Sequence, residues 1–189
     1  MPTTQPVRNK HHVRALAEYY LKRGEPRNYL LVIMGVHTAL RISDLLRLKW
    51  EDVYDFTHNR FHTSITIVEQ KTKKQRLIAL NKTIITALRL YFHAVQQNTP
   101  LFQSRKGGSI SRIQAYRLIR AASDALEFHT RISCHSLRKT FGYHAWKNDI
   151  SPAIIMEIYN HSSFAITRRY LGITQDDKDT AYHKLASIM

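Results

Sequence analysis

The sequence predicts a mainly α-helical fold with a small antiparallel β-sheet, which is an α+β fold class. Apolar residues recur at helical spacing along most of the chain, and residues that favour N-cap positions precede many of these stretches. A run rich in Thr, Ile and Val near the middle predicts the sheet. Of the 189 residues, 43% are hydrophobic, so the chain can bury a core and is not expected to be disordered.

The first part of the chain predicts a tail and three helices. Residues 1–9 are polar with two prolines and predict a loose tail. The first helix carries an apolar stripe made of Val13, Leu16, Ala17, Tyr20 and Leu21. Gly24 ends it, and residues 28–40, which are apolar almost all round, predict a buried second helix. Ser43 is of a residue type that favours N-caps and predicts a third helix, running to Trp50.

Two short runs in the middle of the chain predict a β-hairpin. Residues 61–69 are rich in Thr, Ile and Val, and residues 76–80 form the second run. The link of residues 70–74 is short and polar, which favours an antiparallel pair. Asn81 then caps a helix that is predicted to run to about Gln97.

Capping residues also mark the helices of the second half. These helices are predicted to begin at Ser111, at Ser133 or Cys134, at Ser151–Pro152, and at Ser162 or Ser163. The second of them carries His135 and Arg138, and the last carries Tyr170. Residues 174–187 predict a final helix that begins with a capping box.

The net charge and the cysteine count indicate the class of partner and the redox compartment. With 29 Lys and Arg against 14 Asp and Glu, the formal net charge is +15, which favours a polyanionic partner, nucleic acid first and an anionic membrane surface second. A single cysteine, Cys134, excludes an internal disulfide and fits a reducing compartment. Its place before His135 suggests a thiol nucleophile, but neighbours on a helix diverge by about 100°, which favours a buried structural thiol.

Apolar runs and the N-terminus address localisation. No apolar run reaches ~18 residues, and the N-terminus lacks a charged-then-apolar signal pattern. We therefore expect a cytoplasmic protein without a membrane partner.

Residues 135–170 contain the side chains best suited to catalysis. His135 and Arg138 are three apart and share one helix face, an arrangement that suits an anion with several oxygens, such as a phosphodiester. Tyr170 follows in a stretch that also contains Arg and His, and it is a candidate nucleophile because a phenol is weak until a base or a positive field activates it.

This stretch resembles the second half of the catalytic domain of the tyrosine recombinases, also called the phage integrase family. The shared features are the H-x-x-R motif, a histidine 26 residues after its first residue, and a tyrosine nine residues later. Residues 38–46 resemble the first arginine box of the family, with Ala39 where glycine is usual and Asp44 where glutamate is frequent. We interpret Ala39 as evidence for a backbone without positive φ. In isolation, Arg41 also fits a surface arginine, and residues 28–50 fit a helix-turn-helix.

The resemblance implies a set of catalytic residues. They are Arg41, Lys71, His135, Arg138, His161 and Tyr170. In the family the two arginines hold the scissile phosphate, and a lysine of the hairpin turn protonates the departing 5′ oxygen. Lys71 is our first choice for that lysine and Lys73 the second. All the hairpin lysines also fit simple phosphate contacts.

The histidines and the tyrosine complete the implied mechanism. His161 would donate a hydrogen bond to a phosphate oxygen, and His135 would act as acid or base near the tyrosine. Tyr170 would attack the phosphorus and leave a 3′-phosphotyrosine. Asn160 stands where the family commonly has glycine, and asparagine tolerates left-handed backbone better than most residues.

The function expected from the resemblance is site-specific DNA recombination of the integrase or invertase type, with no metal and no cofactor. Metal-assisted hydrolysis needs clustered ligands, and the adjacent acids, Glu51–Asp52 and Asp176–Asp177, are not next to the H-x-x-R motif in sequence. Two alternatives stay open: strand relaxation of the type IB topoisomerase kind, and a non-catalytic DNA-binding regulator.

The resemblance covers about residues 10–185, so we expect residues 1–189 to form one catalytic domain without the N-terminal core-binding domain that is usual in the family. It also implies double-stranded DNA as partner and a homo-tetramer on two DNA sites, with a monomer in the absence of DNA. Residues 174–189 would dock on a neighbouring protomer or fold back on their own.

Overall fold

A computed structural model describes residues 4–92, 97–173 and 182–183, and it confirms the mainly helical fold class. In that part of the chain the helices are α1 (Lys10–Lys22), α2 (Pro26–His37), α3 (Ile42–Leu45), α4 (Trp50–Val53), α5 (Lys82–Tyr91), α6 (Arg112–Ala125), α7 (Cys134–Lys147), α8 (Pro152–Tyr159) and α9 (Phe164–Leu171). The strands are β1 (Tyr54–Asp55), β2 (Arg60–Phe61), β3 (Ser64–Val68) and β4 (Gln75–Ala79). None of the described helices is long and apolar enough to cross a membrane.

Helix α2 lies at the centre of the fold, where it packs against α1, α5 and α7. This confirms the predicted buried helix. Gly35 allows α7 to come close, because a Cβ at that position would lie 2.7 Å from Leu137 Cδ1. The helix ends at His37, three residues before the predicted end at Leu40, because Thr38 caps it and the chain then turns.

The turn after α2 overturns one prediction. Ala39 has a φ of 56°, so the expectation of a backbone without positive φ is wrong. The left-handed region costs an alanine roughly 1–2 kcal/mol, a strain that the surrounding contacts of this buried residue must offset. The turn directs the Ala39 carbonyl towards α7 and places Arg41 at the N-terminus of α3.

The predicted third helix, from Ser43 to Trp50, is also wrong. The N-cap is Arg41, and α3 contains only four residues before the chain leaves the helix. Lys49 pairs with Pro100 in an isolated β-bridge, and a second short helix, α4, begins at Trp50. The local sequence pattern favours a continuous helix here, but the pairing of Lys49 with a distant segment interrupts that helix.

The hairpin prediction is confirmed. Strands β3 and β4 pair antiparallel, with Ser64 opposite Ala79 and Val68 opposite Gln75. The expectation of only one sheet is wrong, because β1 and β2 form a second antiparallel pair. Strands of two residues are too short to show the alternation that predicts a strand from sequence.

The N-terminal segment is not a loose tail over residues 4–9. Val7 is buried, its N–H donates to Thr140 Oγ1 at 2.9 Å, and its carbonyl lies 3.0 Å from His144 Nε2. These contacts fix the segment on α7, beside the helix that carries the predicted nucleophile.

Most predicted helix starts are confirmed. The caps are Asn81, Ser111, Ser133, Ser151 and Ser163. Helix α5 ends at Tyr91 and not near Gln97, because Phe92 takes an extended backbone and packs on Trp50 and Tyr54. The predicted final helix, residues 174–187, lies outside the described residues apart from 182–183.

Candidate active site

Arg138 lies at the centre of the site. It projects from α7 with 2% exposure, and its Nη1 donates to the Ala39 carbonyl while Nη2 donates to the Tyr159 carbonyl at 3.2 Å. Its Nε is buried and has no partner among the described residues. Burial, followed by the charge of Arg41, lowers the pKa of Arg138 to about 10, so the guanidinium stays charged at neutral pH.

Arg41 is half-buried and paired with a buried carboxylate. Its Nη1 donates to Glu69 Oε2 at 2.7 Å. Glu69 also accepts from Arg76 Nη1 at 2.9 Å and from Thr72 Oγ1 at 2.7 Å. A longer contact of 3.4 Å joins Asn160 Nδ2 to Glu69 Oε2. One carboxylate therefore connects the arginine box, the hairpin turn and the loop after α8.

The charge of Glu69 follows from these contacts. Burial opposes its ionisation, but the hydrogen bonds from Thr72, Arg76 and Arg41 outweigh burial and lower its pKa to about 2. Glu69 is therefore ionised throughout the physiological pH range.

Tyr170 projects from α9, is half-buried, and lies among rings and cations. Its ring centroid lies 5.3 Å from that of His135, 4.8 Å from that of Tyr159 and 4.8 Å from that of His161, with Arg138 Cζ at 5.9 Å and Lys139 Nζ at 5.7 Å. The nucleophile predicted from sequence thus lies close to two cationic side chains, Arg138 and Lys139.

His161 is packed face to face with Tyr159, at 4.9 Å between centroids and 18° between planes. Its Nδ1 lies 3.0 Å from Thr167 Oγ1. Burial, then the charges of Arg138 and Arg41, lower the pKa of His161 to about 4. The imidazole is therefore neutral at pH 7, with one N–H donor and one acceptor nitrogen.

The pKa of His135 is shifted in the same direction as that of His161. Burial, then the charges of Lys139 and Arg138, lower its pKa below the usual range of histidine. The residue is nevertheless exposed, so solvent screening reduces this shift. A neutral His135 next to Tyr170 has an acceptor nitrogen that can take a proton.

The loop before His161 confirms the expectation for Asn160. This residue caps α8 with a φ of 53°, in the left-handed region that asparagine tolerates. The tight end of α8 turns the chain so that His161 stacks on Tyr159, the last residue of the helix.

The structure brings together five of the six predicted catalytic residues. Lys71 is the exception: it is exposed on the hairpin turn and makes no hydrogen bond or ion pair with the residues that the structure describes. Its neighbour Gln70 is fixed, because the Gln70 N–H donates to Asp44 Oδ1 at 2.9 Å. The choice between Lys71 and Lys73 stays a prediction.

Sequence reasoning missed Glu69, Arg76 and Lys139. A signal for Arg76 exists, because strand alternation places it on the same inward face as Ile78, where a charged residue is unusual. Lys139 is nearly buried, and its Nζ donates to the Thr4 carbonyl at 2.7 Å. Glu69 ends the predicted strand, and nothing local indicates its partners.

Two competing nucleophiles are excluded by their surroundings. Cys134 is half-buried and packs against the main core, and burial raises its pKa to about 11, which favours a structural thiol over a nucleophile. Tyr159 is fully buried, and its hydroxyl donates to the Arg138 carbonyl at 2.6 Å, so this tyrosine serves packing. Burial also raises the pKa of Tyr159.

The sequence model of the Phage integrase family matches residues 8–176. The chain belongs to the phage integrase family. The "Probable integrase/recombinase YoeC" of Bacillus subtilis (strain 168) is 39% identical over 183 residues, covering 96% of this chain and 97% of that protein. The tyrosine recombinase XerD of Corynebacterium glutamicum is 26% identical over 156 residues, covering 79% of this chain and 49% of that protein.

Solved structures show the same fold. A crystal structure of XerA recombinase has a TM-score of 0.77 and 22% identity, covering 96% of this chain and 66% of that chain. XerH site-specific recombinase in a post-cleavage complex with a palindromic difH substrate has a TM-score of 0.75 and 20% identity, covering 96% of this chain and 53% of that chain. The predicted family, the fold and the class of enzyme, a tyrosine-type site-specific recombinase, are confirmed. This integrase-family chain spans about half the length of some of these relatives and nearly all of YoeC.

Proposed function

We propose that this chain cuts and rejoins double-stranded DNA at specific sites through a 3′-phosphotyrosine on Tyr170. The observation that carries the proposal is the buried Arg138, whose Nε has no partner in the part of the chain that the structure describes and whose Cζ lies 5.9 Å from the Tyr170 ring. A buried donor without an acceptor costs roughly 1–3 kcal/mol. An oxygen of a bound phosphate would satisfy it beside the nucleophile.

The reaction needs stabilisation of negative charge on the phosphate. The donors of Arg41 that do not contact Glu69 are available for the non-bridging oxygens, and Arg138 Nε, which is buried and lacks a partner among the described residues, would join them once the site opens to DNA. His161, neutral and with one N–H, can add a third donor. One preorganised donor of this kind is worth about 3 to 4 kcal/mol of transition-state stabilisation, so three of them support a large acceleration.

Bonds and protons balance in the proposed steps. The Tyr170 oxygen forms a bond to phosphorus while the bond from phosphorus to the 5′ oxygen breaks. The phenol proton passes to the neutral His135, and Lys71 delivers a proton to the departing 5′ oxygen. The phosphodiester energy is retained in the tyrosine ester, so a different 5′-hydroxyl can reverse the step and join a new strand.

The partners also belong to the proposal. XerH is a recombinase solved with DNA, and the net charge of +15 on this chain fits the same kind of ligand. We extend the proposal to a homo-tetramer on two DNA sites.

The test uses DNA whose target sequence need not be known. Nicked duplexes with a randomised sequence beside the nick are incubated with the protein, so that the short 5′-hydroxyl strand diffuses away and any tyrosine ester is trapped. Denaturing gels detect the adduct, mass spectrometry locates the modified residue, and sequencing identifies the captured DNA. We expect an adduct on Tyr170, and its absence contradicts the proposed function.

The variant Tyr170→Phe separates chemistry from binding. It removes the nucleophilic oxygen and nothing else, so we expect no adduct and an affinity for the captured duplex within about twofold of the wild-type value. An adduct that survives this change would remove Tyr170 as nucleophile. Recombination between two captured sites, compared with relaxation of plasmids without such a site, distinguishes a recombinase from a topoisomerase.

A further inference from the structure

Glu69 is the buried carboxylate of the site, and it lies where three parts of the chain meet. Its side chain has no exposed surface, and its two oxygens accept hydrogen bonds from two arginines of different elements. Arg41 precedes α3, whereas Arg76 is in β4 and has its Nη2 3.4 Å from the Thr38 carbonyl. A carboxylate in this place is not expected from packing alone, because a buried charge is costly unless it is paired.

Glu69 accepts a hydrogen bond from only one of the nitrogen atoms of the Arg41 guanidinium. A guanidinium has five N–H donors in a planar fork, so it can bind two anions on different edges. Glu69 takes Nη1 of Arg41, and no other acceptor among the described residues takes the remaining donors. Arg41 is therefore held from one side while donors for a phosphate are kept free.

The second contact reaches the turn that carries the candidate general acid. Thr72 Oγ1 donates to the same Glu69 oxygen that Arg41 contacts. The backbone closes the turn at Glu69 as well, through Glu69 N–H to Lys74 O at 3.0 Å and Lys73 N–H to Glu69 O at 2.9 Å. Lys71 lies directly before Thr72, so the position of the turn depends on the carboxylate.

We propose that Glu69 is a positioning residue for recombination: it orients Arg41 for the scissile phosphate and fixes the lysine turn relative to it before DNA is bound. This inference rests on the proposed function. Glu69 touches neither the phosphate nor the reacting atoms, and it acts through Arg41 and Thr72. In the absence of its charge, Arg41 is repelled by Arg76 and Arg138 and loses its fixed position.

The first experiment needs no DNA. We would record the heteronuclear NOE of the Arg41 Nε–Hε group, assigned through Arg41→Lys, in the wild type and in Glu69→Gln. Glutamine keeps the size of the side chain but removes the charge, so we expect the NOE to fall to the level of exposed arginines. Glu69→Asp keeps the charge and retracts it by one methylene, so we expect a smaller fall. An Arg41 that stays equally rigid in both variants overturns the proposal.

The second experiment separates positioning from a merely structural role. On a captured nicked duplex, we expect Glu69→Gln to slow single-turnover cleavage by about 10- to 100-fold, because displaced groups lose productive geometry. The affinity for that duplex should be unchanged or tighter, because the variant loses one negative charge and its net charge is one unit more positive. Parallel losses of affinity and rate, or an unchanged rate, would contradict positioning.

Glu25 offers a matched control. Its carboxylate is also shared between an arginine and an asparagine, Arg23 and Asn28, but it lies before α2, and these two partners are outside the site. We expect Glu25→Gln to leave both the Arg41 NOE and the cleavage rate at wild-type values. If the wild type forms no adduct at all, the proposed function fails, whereas the NOE comparison still decides the role of Glu69.

Discussion

At the scale of single residues, the identity of the general acid is the first question. Lys71 and Lys73 lie in the same turn, but Lys73 has a φ of 57° and its N–H closes the turn on Glu69. Lys71 has no such backbone constraint in the described structure. A lysine that protonates the leaving oxygen becomes unnecessary when that oxygen is replaced by sulfur, because a thiolate leaves without a proton.

We therefore expect Lys71→Ala to cut the normal captured duplex at least about 100-fold more slowly than wild type. The same variant should cut a duplex with a 5′-bridging sulfur at nearly the wild-type rate. Lys73→Ala should resemble wild type on both substrates. The measurement is single-turnover adduct formation. If the 5′-bridging sulfur restored the rate of Lys73→Ala but not that of Lys71→Ala, Lys73 would be the general acid.

The neutral histidines make stability depend on pH. Burial and neighbouring arginines lower the pKa of His161 from the usual value near 6.5 to about 4. Between these two values the unfolded chain binds more protons than the folded one, so the contribution of a neutral His161 is complete above about pH 6.5 and is lost as pH falls towards 4.

The free energy of unfolding, measured with urea at several pH values, should therefore decrease from pH 6.5 to 4. His161→Gln should decrease less steeply over the same window, because glutamine does not titrate. Other histidines, His135 and His144 among them, also have lowered pKa values. Part of the dependence of the unfolding free energy on pH should therefore remain in the variant. A variant with the full wild-type slope would show that His161 is not held neutral.

At the scale of elements, α7 and α8 meet at a glycine. A Cβ on Gly142 would lie 2.6 Å from the Tyr159 hydroxyl and 3.0 Å from its ring. Tyr159 is fully buried and stacks on His161, so it cannot move without disturbing the site. Close packing of the two helices thus positions His161, one of the predicted catalytic side chains.

We expect Gly142→Ala to lower the free energy of unfolding by about 1–3 kcal/mol, the usual cost of overpacking. The displaced Tyr159 should also slow adduct formation by about tenfold or more. Gly108→Ala is the matched control, because a Cβ there meets nothing within 4 Å, and we expect its effects to stay within about 0.5 kcal/mol. Urea unfolding and the trapping assay give both values. Equal stability of the two variants would show that α7 and α8 can separate without cost.

Elements also show what the sequence predicts and what it does not. The caps at Asn81, Ser111 and Ser151 are local chemistry within a few residues, and all three were predictable. The positive φ of Ala39 is not local, since its carbonyl accepts from Arg138, 99 residues away. Residue spacing within motifs was therefore enough to identify Arg138 from the sequence. The backbone carbonyl that accepts its hydrogen bond could be identified only from the structure.

The same division holds within the site. The family resemblance identified Arg41 from the residues of its own box, and His161 and Tyr170 from their spacing to the H-x-x-R motif. Glu69 contacts Arg41 across 28 positions and belongs to none of those stretches. The energy of a buried ion pair depends on the fold around it, so a carboxylate of this kind has no sequence signature of its own.

At the scale of the whole molecule, net charge bears on the proposed association of protomers. Two copies that each carry a net charge of +15 repel each other in dilute salt, and double-stranded DNA neutralises part of that charge when it binds. The surface near the site also contains exposed apolar side chains, Ile154 on α8 and Phe164 on α9, that a neighbouring protomer could cover. Assembly is therefore expected to follow DNA binding and not to precede it.

Sedimentation can test this order of events. The protein alone should sediment as a monomer at about 0.1 M salt, where charges within roughly 10 Å still interact strongly. With duplexes that each hold two captured half-sites, it should form complexes of four protomers on two duplexes. Phe164→Glu should bind a single duplex with wild-type affinity but lose the larger complex, because a charge on that surface opposes burial against a neighbour. A tetramer without DNA would show that protein contacts alone overcome the repulsion, and it would place assembly before recognition of the site.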